Sequence, residues 1–278
     1  MKLPDLSNSM YVARLRHIQS IHELEKHRNP DTQVRHFLPR LQRWKAAWLG
    51  REALSQLRAQ PFYYYLIART RYYDQVMLDA VSGGVKRIAM IGCGSDTRAY
   101  RFEPILRQHG VRILECDQPQ AIHVKARLAK RWHADYVEYQ PIDLHHEECP
   151  GLARWLAAGA GAKTLVVMEG VSPYVNDQDF CRFLRWLAGK LPPGTAFAYD
   201  YKIRGVEDDF GRGQRAQQPF RLSTERKEVA NFHQAHGFEL VSMELSSELC
   251  VRLLPDLAGA GNKFFTEDGL LRLNTASV

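Results

Sequence analysis

Apolar residues at Val12, Leu15, Ile18, Ile21 and Leu24 recur every three positions, which marks one face of a helix. Asn29-Pro30-Asp31-Thr32 then supplies turn and cap chemistry. A second helical face follows in Val34, Phe37, Leu38, Leu41, Trp44 and Trp48, and Pro39 either kinks that helix or marks its true start. No strand accompanies these helices, so residues 1–60 are expected to pack as a helical cap or lid. The main domain is then 61–278, and the whole chain is a single domain. After Pro61, the aromatic stretch PFYYYLIARTRYYDQVMLDAV reads as a helix that stops at Ser82-Gly83-Gly84.

From residue 85 the period changes. Short apolar runs at Arg87–Ile91, Arg112–Asp117, Val137–Asp143, Thr164–Glu169 and Thr195–Tyr201 read as strands, with two more at Phe238–Met243 and Glu248–Leu254. Helical patterns lie between the earlier runs, around 97–109, 119–132, 150–158 and 177–190. Such alternation predicts an α/β fold with a mostly parallel, seven-stranded sheet covered on both faces. The Gly-rich polar stretch 205–221 reads as a flap or insertion.

Composition narrows the class. With 45% hydrophobic and 25% charged residues, the chain has ordinary globular usage and no room for a large disordered region. It has no signal-like apolar segment near the start and no run long enough for a membrane span, so a cytoplasmic protein with no membrane partner is expected. The five cysteines are odd in number, scattered and without a C-x-x-C pair, which suits reduced thiols rather than disulfides or a zinc site. The net charge of +7 is concentrated at one end, because residues 1–60 hold 11 Lys or Arg against 5 Asp or Glu. A basic field of this kind attracts an anionic substrate, an acidic carrier protein or a nucleic acid, and a solvated helix face is an equal reading.

The chemistry concentrates in RIAMIGCGSDTRAYRF, residues 87–102. An apolar run enters Gly92-x-Gly94 and a helix follows, the strand–turn–helix arrangement that lets a nucleotide approach the backbone. A side chain at Gly92 is expected to fill space the ligand needs. The next run ends in Asp117, placed to accept hydrogen bonds from two ribose hydroxyls in either a dinucleotide or an adenosylmethionine site. Two features separate these readings. The third small residue of a dinucleotide fingerprint is replaced by Thr97, and Asp96 brings negative charge to where phosphates would rest. S-Adenosylmethionine carries a sulfonium, an ammonium and a carboxylate but no phosphate, so a pocket holding Asp and Glu suits it better. Asp143-Leu144 and Glu169-Gly170 close the third and fourth runs, so four successive strand ends carry candidate ligand contacts.

The segments ARTRYYD (68–74), IGCGSDTRAYRF (91–102), ECDQP (115–119), IDL (142–144) and MEGVSPYV (168–175) resemble the leucine carboxyl methyltransferase family. The resemblance spans about residues 60–200 and implies a Rossmann-like class I methyltransferase using S-adenosylmethionine. It implies that Arg69 pairs with the cofactor carboxylate, that Gly92 and Gly94 line the pocket and that Asp117 holds the ribose. Asp143 and Leu144 would contact the adenine, and Glu169 the methionine moiety. The sequence departs from the family at Asn29-Pro30, where an Asp-Pro step is usual, and residues 201–278 match loosely.

Methyl transfer from a sulfonium is an in-line displacement, so the protein's task is alignment and exclusion of water. A carboxylate acceptor is already ionised and needs no base, whereas a hydroxyl requires one. Tyr174 is the candidate that orients the acceptor by its hydroxyl, with a packed aromatic at a strand–helix turn as an equal reading. Arg98 and Tyr63–Tyr65 are weaker candidates that read rather as an ion-pair brace and as core and lid packing. His145 or His146 would serve as base if one is used. The run His145-His146-Glu147-Glu148-Cys149 places its ligands too close together to wrap one ion, so no metal is expected. The reading is O-methylation of a carboxylate or hydroxyl on a small, anionic molecule, with a carrier protein as a further partner. The alternatives are a tRNA-modifying relative and a non-catalytic cofactor-binding domain.

Overall fold

The computed structural model describes residues 7–146, 148–206 and 219–276. Most of the 205–221 stretch lies outside the described residues. The N-terminal part is helical: α1 (Ser7–His22), α2 (Arg40–Leu49) and α3 (Leu54–Arg58) precede the long α4 (Pro61–Ser82). Pro61 stands at the first turn of α4, where a missing N–H costs nothing, and Gly83 ends it. Pro39 precedes α2 as its N-cap, and the Val34–Phe37 turn before it is a separate 3-10 segment, so the second apolar face is broken at the proline.

The alternating region follows as β1 (Arg87–Ile91), α5 (Arg98–Arg101), α6 (Glu103–Gln108), β2 (Arg112–Asp117), α7 (Pro119–Ala129), β3 (Val137–Pro141), α8 (Pro150–Ala158), β4 (Thr164–Met168) and α9 (Asp177–Ala188). It ends with β5 (Ala196–Ile203), β6 (Arg221–Leu222), α10 (Arg226–Gln234), β7 (Phe238–Leu245), α11 (Ser246–Leu253), α12 (Pro255–Gly259) and β8 (Asp268–Thr275). The main sheet runs β3-β2-β1-β4-β5-β8-β7, and the two-residue β6 adds to β5. The five strands from β3 to β5 are parallel, while β8 runs antiparallel to both β5 and β7. The seven-stranded, mostly parallel sheet expected from the sequence is therefore present. Its order reverses at β1, with β2 on one side and β4 on the other, which opens a crevice at the carboxyl ends of those strands.

Alternate strand residues feed two cores. Ile88, Met90, Ile113 and Val167 face α4 and α7, while Ala89, Ile91, Leu114 and Val166 face α8 and α9. Leu15 and Phe37 join the first of these, so the N-terminal segment shares the core of the sheet instead of resting on it loosely.

Two strand assignments differ from the sequence reading. The run read as a strand from Glu248 is helical to Leu253 within α11, and Leu254 is the C-cap. Its alternating Leu249, Val251 and Leu253 mimic a strand, but the burial is helical, with Leu249, Cys250 and Leu254 inside and Val251 exposed. The Glu248 carboxylate accepts the Leu245 N–H at 2.9 Å and fixes the helix start. The seventh strand is β8, whose Leu270, Leu271 and Leu273 are buried on both faces and show no clean alternation. The helix read over 97–109 is two short helices that meet at Phe102.

Candidate functional site

The turn after β1 is the floor of the site. Gly92 and Gly94 have φ of +65° and +42°, a left-handed backbone that side chains rarely adopt. A Cβ at Gly92 would stand 2.3 Å from Val171 Cγ2. The glycine is thus required by packing against the loop after β4, a constraint the sequence did not suggest, and it also lines the cavity. At Gly94 a Cβ would meet Ser9 Oγ of α1 at 3.0 Å. Asp117, at the tip of β2, ties this turn down: Oδ2 accepts the Gly94 N–H at 2.6 Å and Oδ1 accepts the Gln118 N–H at 2.8 Å. Burial pushes the Asp117 carboxyl pKa up, opposed by those two N–H groups and by Lys125.

Strand β3 ends at Pro141, so Asp143 and Leu144 lie just beyond it in the loop. Asp143 Oδ1 accepts the His145 N–H at 3.0 Å, and Leu144 is buried in the core facing α8. Glu169 follows β4 directly and meets two arginines, with Oε1 3.1 Å from Arg69 Nε and Oε2 2.8 Å from Arg98 Nη1. Arg69, from the middle of α4, also lies 3.3 Å from Asp200 Oδ2 of β5, and Asp200 Oδ1 accepts the Gly170 N–H at 2.7 Å. Tyr174 closes the 3-10 turn Ser172–Tyr174 that follows.

Arg69, Gly92, Gly94, Asp117, Asp143, Leu144, Glu169 and Tyr174 all line one cavity of about 550 Å³. The residues rated weaker behave differently. Arg98 lies behind Glu169, fully buried, bonded to Asp74 Oδ1 at 2.8 Å and to Asp96, and lines no part of the cavity. Tyr63 donates to Glu23 Oε1 at 2.9 Å, and Tyr63, Tyr64 and Tyr65 pack in the core. His145 reaches the lining, its Nδ1 2.8 Å from Asp179 Oδ2, whereas His146 is exposed and lines no part of it.

Several members of the site were not read from the sequence as ligand contacts. Arg16 of α1 lines the cavity and bridges to Asp31 Oδ2 at 3.0 Å and to the Ser95 carbonyl at 3.1 Å. Ser9, Met10, Val12 and Phe37 also reach the lining from the N-terminal segment. Lys125 of α7, buried under the floor, pairs with Glu115 Oε1 at 2.8 Å. Asp96 and Asp200 complete an alternating lattice of charge. Burial disfavours the charge on Asp96, yet the facing Arg98, Lys125 and Arg16 outweigh it and hold the carboxyl pKa at about 2. At Asp200 burial dominates over Arg69, and Asp268 and Glu169 add to it, so its pKa is raised to about 7.

The arrangement offers a glycine turn, a carboxylate at a second strand tip, a loop with one acidic and one apolar residue, and a carboxylate and arginine pair. A family model for leucine carboxyl methyltransferase matches residues 9–188. The chain belongs to the leucine carboxyl methyltransferase family. Relatives in that direction are named as S-adenosyl-L-methionine-dependent methyltransferases. One from Mycobacterium marinum is 30% identical over 138 residues, 49% of this chain and 45% of the relative. One from Mycobacterium avium is 26% identical over 228 residues, covering 74% and 70%. The chain thus spans less than half the length of the first relative. Among solved structures, magnesium protoporphyrin IX methyltransferase from Synechocystis with bound S-adenosylhomocysteine superimposes with a TM-score of 0.50 at 10% identity, covering 82% of this chain and 95% of that one. A Galdieria sulphuraria protein named as a sarcosine dimethylglycine methyltransferase gives 0.50 at 12%, covering 77% and 88%. These likenesses show that this family member has the class I methyltransferase fold.

Proposed function

We propose that this chain is an S-adenosylmethionine-dependent O-methyltransferase acting on a carboxylate or hydroxyl of a small anionic molecule. The residues present fit the cofactor: the left-handed Gly92–Gly94 turn leaves bare backbone beside the Asp117 carboxylate, and Glu169 and Arg69 offer one group of each sign. When bound, the cofactor supplies an electrophilic methyl group, which an acceptor oxygen attacks in line with the carbon–sulfur bond.

The chain's own residues do the rest. Asp117 holds ribose hydroxyls, Asp143 and Leu144 frame the adenine, Glu169 takes the ammonium and Arg69 the carboxylate, so the sulfonium is fixed in direction. Tyr174 orients the acceptor. Residues Ser9, Met10, Val12 and Phe37 roof the cavity and exclude water.

The observation that carries the acceptor class is the make-up of the lining. Among the described lining residues His145 is the one imidazole, and its Nδ1 is already engaged by Asp179 Oδ2 at 2.8 Å, so the lining offers little to take a proton from a hydroxyl acceptor. A pocket of this kind favours an acceptor that arrives already ionised. The test is incubation with methyl-labelled S-adenosylmethionine and a panel of small carboxylic acids. A labelled ester released by mild base is the expected product. Label that resists mild base points to an ether, amine or thioether and removes the carboxylate reading.

A further inference from the structure

Helix α2 turns its apolar side outward. Its inner face is Ala46, buried against α1, where the His22 ring hydrogen-bonds the Ala46 carbonyl at 3.2 Å. On the outer face Leu41, Trp44 and Trp48 recur at i, i+3 and i+7 and are exposed by 62, 54 and 70%. The two indoles stack 5.7 Å apart at 16°, so they form one aromatic plate in water. Single exposed apolar residues are common, but a stripe of three large ones on one helix marks a contact surface.

The charge around the stripe has one sign. From Thr32 to Arg51 the chain carries Arg35, Arg40, Arg43, Lys45 and Arg51 and no Asp or Glu. Arg35, Arg40, Lys45 and Arg51 are exposed. A second copy docking here would set these cations against each other. RNA would engage the cations and stack on the indoles but has no partner for Leu41. An anionic bilayer surface satisfies all three elements: aliphatic side chain in the acyl boundary, indoles at headgroup depth, cations on the phosphates.

We propose that α2 docks the protein on an anionic lipid surface. The absence of a membrane-spanning run does not bear on this, because a helix lying in the interface needs only an apolar face. Phe37, four residues before Leu41, lines the main cavity, so docking places the cap of that cavity against the lipid. The inference stands apart from the nature of the methyl acceptor.

The experiment is co-sedimentation of the full chain with vesicles of phosphatidylcholine containing about a third phosphatidylglycerol, beside vesicles of phosphatidylcholine alone, with tryptophan emission recorded in both. Binding to the anionic vesicles only, a blue-shifted emission and a partition coefficient that falls at least tenfold in Leu41→Ser/Trp44→Ser/Trp48→Ser are expected. A milder Arg40→Gln/Lys45→Gln variant, which leaves the stripe intact, should lose binding as salt does. Matching thermal melts of each variant and the parent show that the fold is kept. No sedimentation with anionic vesicles, or equal sedimentation by the triple variant, overturns the proposal. So does a dimer that the triple variant dissolves, or RNA binding without vesicle binding.

Discussion

Asp117 ties down the glycine turn and, in the proposed function, also holds the ribose. It already accepts two backbone N–H groups and lines the cavity, with acceptor capacity left on its two oxygens. Hydrogen bonds to a charged group contribute about 1.5–3 kcal/mol each. Asp117→Ala should therefore weaken S-adenosylhomocysteine at least about tenfold in calorimetry; unchanged affinity would place the ribose elsewhere. Asp200 makes a different prediction. Its folded pKa, about 7, lies above the ordinary 3.8, so the folded protein keeps a proton that the unfolded chain has released between those values. The contribution of Asp200 to stability is then full below about pH 4 and lost as pH rises through 7. In urea unfolding, the stability of the wild type relative to Asp200→Asn should fall by more than about 1 kcal/mol from pH 5 to pH 8. A difference that stays constant with pH would mean the carboxyl is ionised throughout.

At the scale of elements, the site is held by contacts between segments that alternate in the chain. The β1 turn needs Gly92 for two reasons, its positive φ and the close Val171 side chain. Gly92→Ala should cost about 2 kcal/mol or more and abolish cofactor binding. Adding Val171→Ala should relieve the clash but not the backbone strain, so thermal stability recovers in part; full recovery would show that φ is not a constraint. Helix α1 reaches the same turn through Arg16, which binds Asp31 and the Ser95 carbonyl. Arg16→Ala should speed release of S-adenosylhomocysteine several-fold in stopped-flow measurements, because it loosens the roof while leaving Asp117 and Glu169 in place. An unchanged release rate would make α1 a passive cover.

For the molecule as a whole, stability rests on two apolar cores with a few ionic groups sealed inside the first. Lys125 and Glu115 are both buried, with Tyr100 donating to the second Glu115 oxygen at 2.7 Å. Removing one member leaves an uncompensated buried charge, at about 3–5 kcal/mol. Lys125→Met should lower stability by that order in urea unfolding, and Lys125→Met/Glu115→Gln should regain most of it; equal losses would mean that the two are not coupled.

The sequence by itself determined the strands around the crevice and the residues at their ends. Gly92, Asp117 and Glu169 each close or follow an apolar run, so local periodicity points straight at them, whereas Asp143 lies two residues beyond the polar strand β3. The sequence also pointed to two N-terminal helices from spacing and prolines, but not to α3, and Leu24, Leu41, Trp44 and Trp48 of those apolar faces are exposed. Burial alone separates β8 from α11: an apolar strand sealed on both faces shows no alternation, and a short helix can imitate one. Tertiary structure alone brought Arg16 to Ser95, a separation of 79 residues, and Arg69 to Asp200, 131 residues away. Ion pairs between distant elements leave no periodic trace, because a charged residue looks the same in the sequence whether it faces solvent or a buried partner.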